Sequence, residues 1–127
     1  MEISSPYFPG YVPVDAYGNG GFRFAEMSHQ GSVLMLPSGV HGWHPNSVAE
    51  ITPDSFQALR SCAENVDVLL IGCGTDVSRP LPAVYELLDE LSIVPEIMNT
   101  GAAARTYNVL LAEKRSVAAA LIAVENP

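Results

Sequence analysis

The sequence predicts an α/β domain built on a mixed sheet. Strand-like and helix-like segments alternate after residue 52, which implies crossovers and parallel strands. Before residue 45, short β-like runs are separated by glycine-rich turns, which implies antiparallel neighbours. Apolar residues make up 48% of the chain, enough for a core, yet the longest runs fall far short of the ~20 residues that cross a bilayer. With 127 residues, the expectation is one domain over 1–127 that folds without disulfides or a structural metal.

In the first half, 11–17, 21–27, 32–36 and 40–44 read as strands of a β-meander. The turns between them are Gly18-Asn19-Gly20-Gly21, His29-Gln30-Gly31 and Pro37-Ser38-Gly39, whose glycines and asparagine supply the positive φ of hairpin loops. This meander is expected to extend the parallel sheet or to cover one side of it. In the second half, Thr52 is placed to cap a first helix, Pro53 suits its first position, and Phe56, Leu59 and Ala63 share a face. The run 66–71 reads as a strand buried on both faces. Pro82 opens a second helix with Val84, Leu87, Leu88 and Leu91 at i, i+3, i+4 and i+7. A second buried strand is expected at 94–98. Asn99 or Thr100 then caps a third helix to about Glu113, its buried side carried by Tyr107, Leu110 and Leu111, with Lys114 and Arg115 at its negative end. The last strand is 117–124.

Charge narrows the partners. Fourteen acidic against six basic residues give a net charge of −8, and Arg23, Arg60, Arg79, Arg105, Lys114 and Arg115 are scattered, so no groove for a phosphate backbone is expected. The acidity suits solubility or the steering of a basic partner. Cys62 and Cys73 form no Cys-x-x-Cys pair, as in a reducing compartment. Met1-Glu2-Ile3-Ser4 has neither an apolar signal region nor arginine-rich transit character, so the expected location is the cytoplasm.

No set of residues names a reaction. Gly72-Cys73-Gly74 follows a buried strand, where dinucleotide loops occur, but no third glycine completes the fingerprint and Pro80 and Pro82 delay the helix. A tight turn is the reading for this segment. His41 and His44 lie three apart, on opposite faces of a regular strand, so zinc is not expected there. Trp43 reads as core or rim, Ser38 as turn, and Cys73 as a small buried residue rather than a nucleophile. No cofactor is expected. The most pointed segment is 99–108, where Gly101, Arg105, Asn108 and Ala112 align as one helical stripe. Two readings stay open for it. Either Arg105 pairs with a carboxylate of this same chain, or the stripe receives an anion or a partner's carboxylate. On the second reading the site is Gly72, Gly74, Arg79, Thr100, Gly101, Arg105 and Asn108, in a cleft where the loops after two parallel strands emerge together, and the chain is either an interaction module or a binder of a small molecule or anion, an enzyme among the alternatives.

The stretches Val14-Asp15-Ala16-Tyr17-Gly18, Gly21-Phe22-Arg23-Phe24, Leu36-Pro37-Ser38-Gly39-Val40, Leu70-Ile71-Gly72-x-Gly74 and, above all, Thr100-Gly101-Ala102-Ala103-x-Arg105-Thr106-Tyr107-Asn108-Val109-Leu110-Leu111 resemble the Mth938-like family of small domains of unknown function. The resemblance covers nearly the whole chain. That family includes bacterial and archaeal proteins of this size and the mitochondrial assembly factor 3 of respiratory complex I. The resemblance implies a three-layer β-plus-α/β fold and an interaction or assembly role. Its partners would be proteins of a membrane-bound complex, or of the machinery that assembles or exports it. It supplies no catalytic residues and no cofactor. The mitochondrial member carries a targeting extension, so the expectation here is a bacterial cytoplasmic relative.

Overall fold

The computed structural model describes residues 8–127. The N-terminal residues read for targeting, Met1-Glu2-Ile3-Ser4, lie outside them. The strands are β1 (Phe8–Pro9), β2 (Ala16–Gly18), β3 (Gly21–Phe24), β4 (Met27–Gln30), β5 (Ser32–Leu36), β6 (Gly39–Trp43), β7 (Val68–Gly72), β8 (Pro95–Met98) and β9 (Val117–Leu121). The helices are α1 (Gln57–Arg60), α2 (Pro82–Glu90) and α3 (Thr100–Ala112), with short 3₁₀ turns at Val48–Glu50, Pro53–Phe56 and Ala63–Asn65.

A six-stranded sheet runs β1-β6-β5-β9-β7-β8, and β2-β3-β4 form a separate antiparallel sheet. β7 pairs in parallel with both β8 and β9, while β5 joins β9 antiparallel, so the sheet is mixed as expected. The meander does both things open to it. β5 and β6 extend the large sheet, and β2–β4 cover one face of it.

Connection direction sets the layers. The chain crosses outward from β7 to β8 through α2, then back over β7 to β9 through α3. Right-handed crossovers in opposite directions place the two helices on opposite faces. Accordingly Val84, Leu87 and Leu88 of α2 pack with Leu34, Phe56, Leu59, Leu69, Ile71 and Ala118 on one face. Ala103, Ala104 and Tyr107 of α3 pack with Phe22, Phe24, Met35, Leu70 and Ala119 on the other. Burying an aromatic side chain such as Tyr107 against a sheet contributes roughly 1.5–3 kcal/mol.

Several expectations are corrected. The first helix is broken into a 3₁₀ turn, one turn of α1 and a second 3₁₀ turn. Ser55 Oγ takes the Thr52 N–H at 3.0 Å in a capping box that starts the first turn, and Ser61 Oγ donates to the Ala58 carbonyl at 2.9 Å where α1 ends. The span 21–27 is not one strand. The chain turns at Ala25 and Glu26, with φ of 49° and 63°, and Phe24 faces Met27 across a two-residue loop. His29 and Gln30, read as turn, belong to β4. Of 11–17, only its end is strand. β8 is the sheet edge rather than a buried strand, with Val94 78% exposed, and an edge tolerates Pro95, which has no N–H to give. On α3 the fully buried stripe is Thr100, Ala103, Ala104 and Tyr107, and Leu110 and Leu111 are only partly covered. The alanines of β9 explain the choice, because small residues on both surfaces let the helix settle close to the sheet.

Candidate functional site

The loops after β7 and β8 leave the sheet side by side and depart to opposite faces. Such a switch point is where open α/β sheets form crevices. Here the crevice is closed at its base by Thr100, which is fully buried. Its hydroxyl donates to the Ile122 carbonyl at 2.6 Å and accepts the Gly74 N–H at 2.9 Å, while its own N–H donates to the Gly74 carbonyl at 2.9 Å. Cys73 N–H to Met98 O (2.8 Å) and Ile122 N–H to Gly72 O (3.0 Å) complete the seam. Gly72 has no room for a side chain, since a Cβ would stand 2.9 Å from Thr100 Cα. Gly74 turns the chain at φ +96°.

Above this base lies a cleft of about 240 Å³ lined by Tyr17, Gly74, Thr75, Asn99, Gly101 and Arg105 together with the last residues of the chain. Arg105 contributes the only charged side chain among the described residues that line it, and it forms no ion pair with any described residue. The helix-end donors are largely engaged. Asn99 Oδ1 caps the Ala102 N–H at 2.8 Å, and the Ala103 N–H bonds the Asn99 carbonyl at 2.9 Å. The donors that this cleft offers are therefore chiefly the Arg105 guanidinium and the Thr75 hydroxyl rather than bare helix amides.

The helical stripe of Gly101, Arg105 and Asn108 faces the segment that enters β2. A Cβ on Gly101 would collide with the Tyr17 hydroxyl. Asn108 clasps the backbone of Val14 twice, accepting its N–H at 2.8 Å and donating to its carbonyl at 2.8 Å. Arg105 stands exposed between these two contacts. The structure thus brings Gly74, Gly101 and Arg105 together on one cleft. Gly72 and Thr100 lie beneath it as packing and hydrogen-bonding parts, and Asn108 is spent on Val14. Arg79 is elsewhere, its guanidinium 5.5 Å from the centroid of the Tyr85 ring. The Tyr17 wall is the part the sequence reading missed: Tyr17 lies in one of the motifs, but no spacing places it on α3, because β2 reaches that helix only through tertiary packing.

A second hollow, of about 620 Å³, opens on the opposite face beside β5 and β6. His41 and His44 both line it, because β6 ends at Trp43 and strict alternation stops there. His41 is 5% exposed, with Nε2 3.1 Å from Ser38 Oγ and Nδ1 without a partner among the described residues. Burial holds its imidazole below the ordinary value. Among the described residues no group of three or more His, Cys, Asp or Glu is arranged to hold a metal ion.

These features define an α/β domain whose sheet carries a second, antiparallel layer on the α3 face. The chain belongs to the family described as protein of unknown function DUF498/DUF598, whose model matches residues 14–122. It is 39% identical to an uncharacterised protein of Rhodobacter capsulatus over 96% of this chain and 93% of that one. It is 30% identical to mouse NADH dehydrogenase [ubiquinone] 1 alpha subcomplex assembly factor 3 over 96% of this chain, spanning 66% of that protein. Among solved structures, a Bartonella henselae protein described as an outer membrane protein superposes with a TM-score of 0.88 at 48% identity, covering 94% of this chain and all of that one. A Bordetella pertussis Mth938-like domain superposes with a TM-score of 0.77 at 29% identity, covering 91% of this chain and 87% of that one. The Mth938-like fold and family expected from the motifs are therefore shown. No helix among the described residues is long and apolar enough to cross a membrane.

Proposed function

We propose that this chain is an interaction module that helps subunits of a membrane-bound respiratory complex of the NADH:ubiquinone oxidoreductase type to assemble. The observation that carries this reading is its likeness, along 96% of its length, to an assembly factor of that complex. Its partners are proteins, and it works beside the membrane rather than across it. The cleft at Gly74, Gly101 and Arg105 is its docking point for an acidic side chain or chain terminus of a partner. Support for that placement is an exposed guanidinium, in a chain of net charge −8, that forms no ion pair with a described residue.

The test is genetic and biochemical together. In a native host lacking the gene, blue-native gels should show sub-assemblies of the oxidoreductase in place of the full complex. The wild-type gene should restore the complex, and Arg105→Ala should restore it poorly while accumulating to normal levels. A deletion strain with a full complement of assembled oxidoreductase would reject the assembly role. Full rescue by Arg105→Ala would reject the docking point alone.

A further inference from the structure

The hollow beside β6 is separate from the Arg105 cleft, on the other face of the sheet, and its chemistry differs. Its wall is held rigid by Trp43, of which only 7% is exposed. Trp43 Nε1 donates to the Ser55 carbonyl at 2.8 Å, and the indole packs on Phe56 with ring centroids 5.5 Å apart at 51°. Leu34 and Ala58 add apolar surface, while Ser38 and His41 form a hydrogen-bonded pair in its lining. At about 620 Å³ it falls in the size range of small-molecule sites. Its charge is one-sided. Asp54 lines it, and no lysine or arginine does so among the described residues. An anion entering here would meet the exposed Asp54 carboxylate, with the His41 and His44 rings as the basic groups of the lining, so the repulsion is present but screened by water.

We propose that this hollow is a binding site for a neutral or cationic aromatic amphiphile, whose ring body lies on Trp43, Leu34 and Ala58 and whose polar end meets the Ser38–His41 pair. A rigid apolar lining and one fixed hydrogen-bonding pair select for a ring system carrying a hydroxyl, carbonyl or amine. Asp54 selects against carboxylates, sulfonates and phosphates of the same body. Burial keeps the His41 ring uncharged, so it supplies no counter-charge that would reverse this preference.

Two dyes test it, because N-phenyl-1-naphthylamine and 1-anilinonaphthalene-8-sulfonate share one aromatic body and differ by a sulfonate. Trp43 is the only tryptophan in the chain, so its quenching reports binding of either dye, and the Asp54→Asn and Ala58→Phe variants assign that binding to this hollow. At pH 8 the neutral dye should quench Trp43 saturably at one per chain, and the sulfonate should bind about fivefold more weakly, the size of a water-screened charge pair. Asp54→Asn should shrink that gap to under threefold, and Ala58→Phe, which fills the floor, should abolish saturable quenching. Equal affinity for both dyes, a gap unchanged by Asp54→Asn, or no saturable quenching by the neutral dye would each overturn the proposal. Full dye binding in a folded Ala58→Phe protein would do the same. If Ala58→Phe does not fold, the Asp54→Asn comparison decides alone.

Discussion

Thr100 and Ile122 are joined by a 2.6 Å hydrogen bond from a fully buried hydroxyl to a backbone carbonyl, across the ends of two crossover connections. The same oxygen receives the Gly74 N–H, so one side chain ties the start of α3 to two other segments. Thr100→Val keeps the shape and strands both partners away from water. The expected loss is about 2–4 kcal/mol, since each orphaned buried group costs roughly 1–3 kcal/mol. Thr100→Ser should recover more than half of it, as read by urea denaturation of the two variants side by side.

Asn108 and Arg105 share a helical stripe and are expected to part company under mutation. Asn108→Ala removes both bonds to Val14 and should cost about 1–3 kcal/mol. Amide exchange should quicken over 14–18 before it does elsewhere, because that clasp ties the segment to α3. Arg105→Ala, exposed and without an ion pair among the described residues, should stay within about 0.5 kcal/mol of wild type. A loss as large as that of Asn108→Ala would show Arg105 to be a structural residue.

Gly72→Ala should be far more damaging than its one added methyl suggests. The new Cβ would press on the Thr100 backbone at 2.9 Å and on Leu121 at 3.0 Å, where neither can move without opening the seam. A loss of about 1–3 kcal/mol is expected from such overpacking. A melting temperature equal to wild type would mean that the seam yields.

The buried His41 predicts a direction with pH. Its pKa is lowered in the folded state, so the unfolded chain binds more protons as pH falls below the ordinary imidazole value. Its contribution to stability is full above about pH 6.5 and is lost as pH falls toward the folded value. The stability difference between pH 7.5 and pH 5 should therefore be smaller in His41→Leu than in wild type. Equal differences in chemical denaturation at the two pH values would contradict this.

What the sequence made legible follows from how local each signal is. Strands at 66–71 and 117–124 announce themselves as apolar runs, and α2 and α3 by periodicity and by Pro82 and Asn99 at their starts. The β3–β4 hairpin was hidden because Ala25 and Glu26 adopt left-handed conformations that their identities do not advertise. The status of β8 as an edge depends on which strands have neighbours, which only the topology decides. At the site, the stripe of Gly101, Arg105 and Asn108 was visible from spacing alone. Its covering by Tyr17 and Val14 was not, because those contacts join residues more than eighty positions apart.

The central claim is that this chain works by holding protein partners of a membrane complex. It is tested most directly by affinity purification of the tagged protein from detergent-solubilised native cells, with mass analysis of what it retains. Subunits of the NADH:ubiquinone oxidoreductase should be enriched over a tagged control of similar size and charge, and less so with the Arg105→Ala protein. Recovery of the intact tagged chain with no oxidoreductase subunit above the control would contradict it.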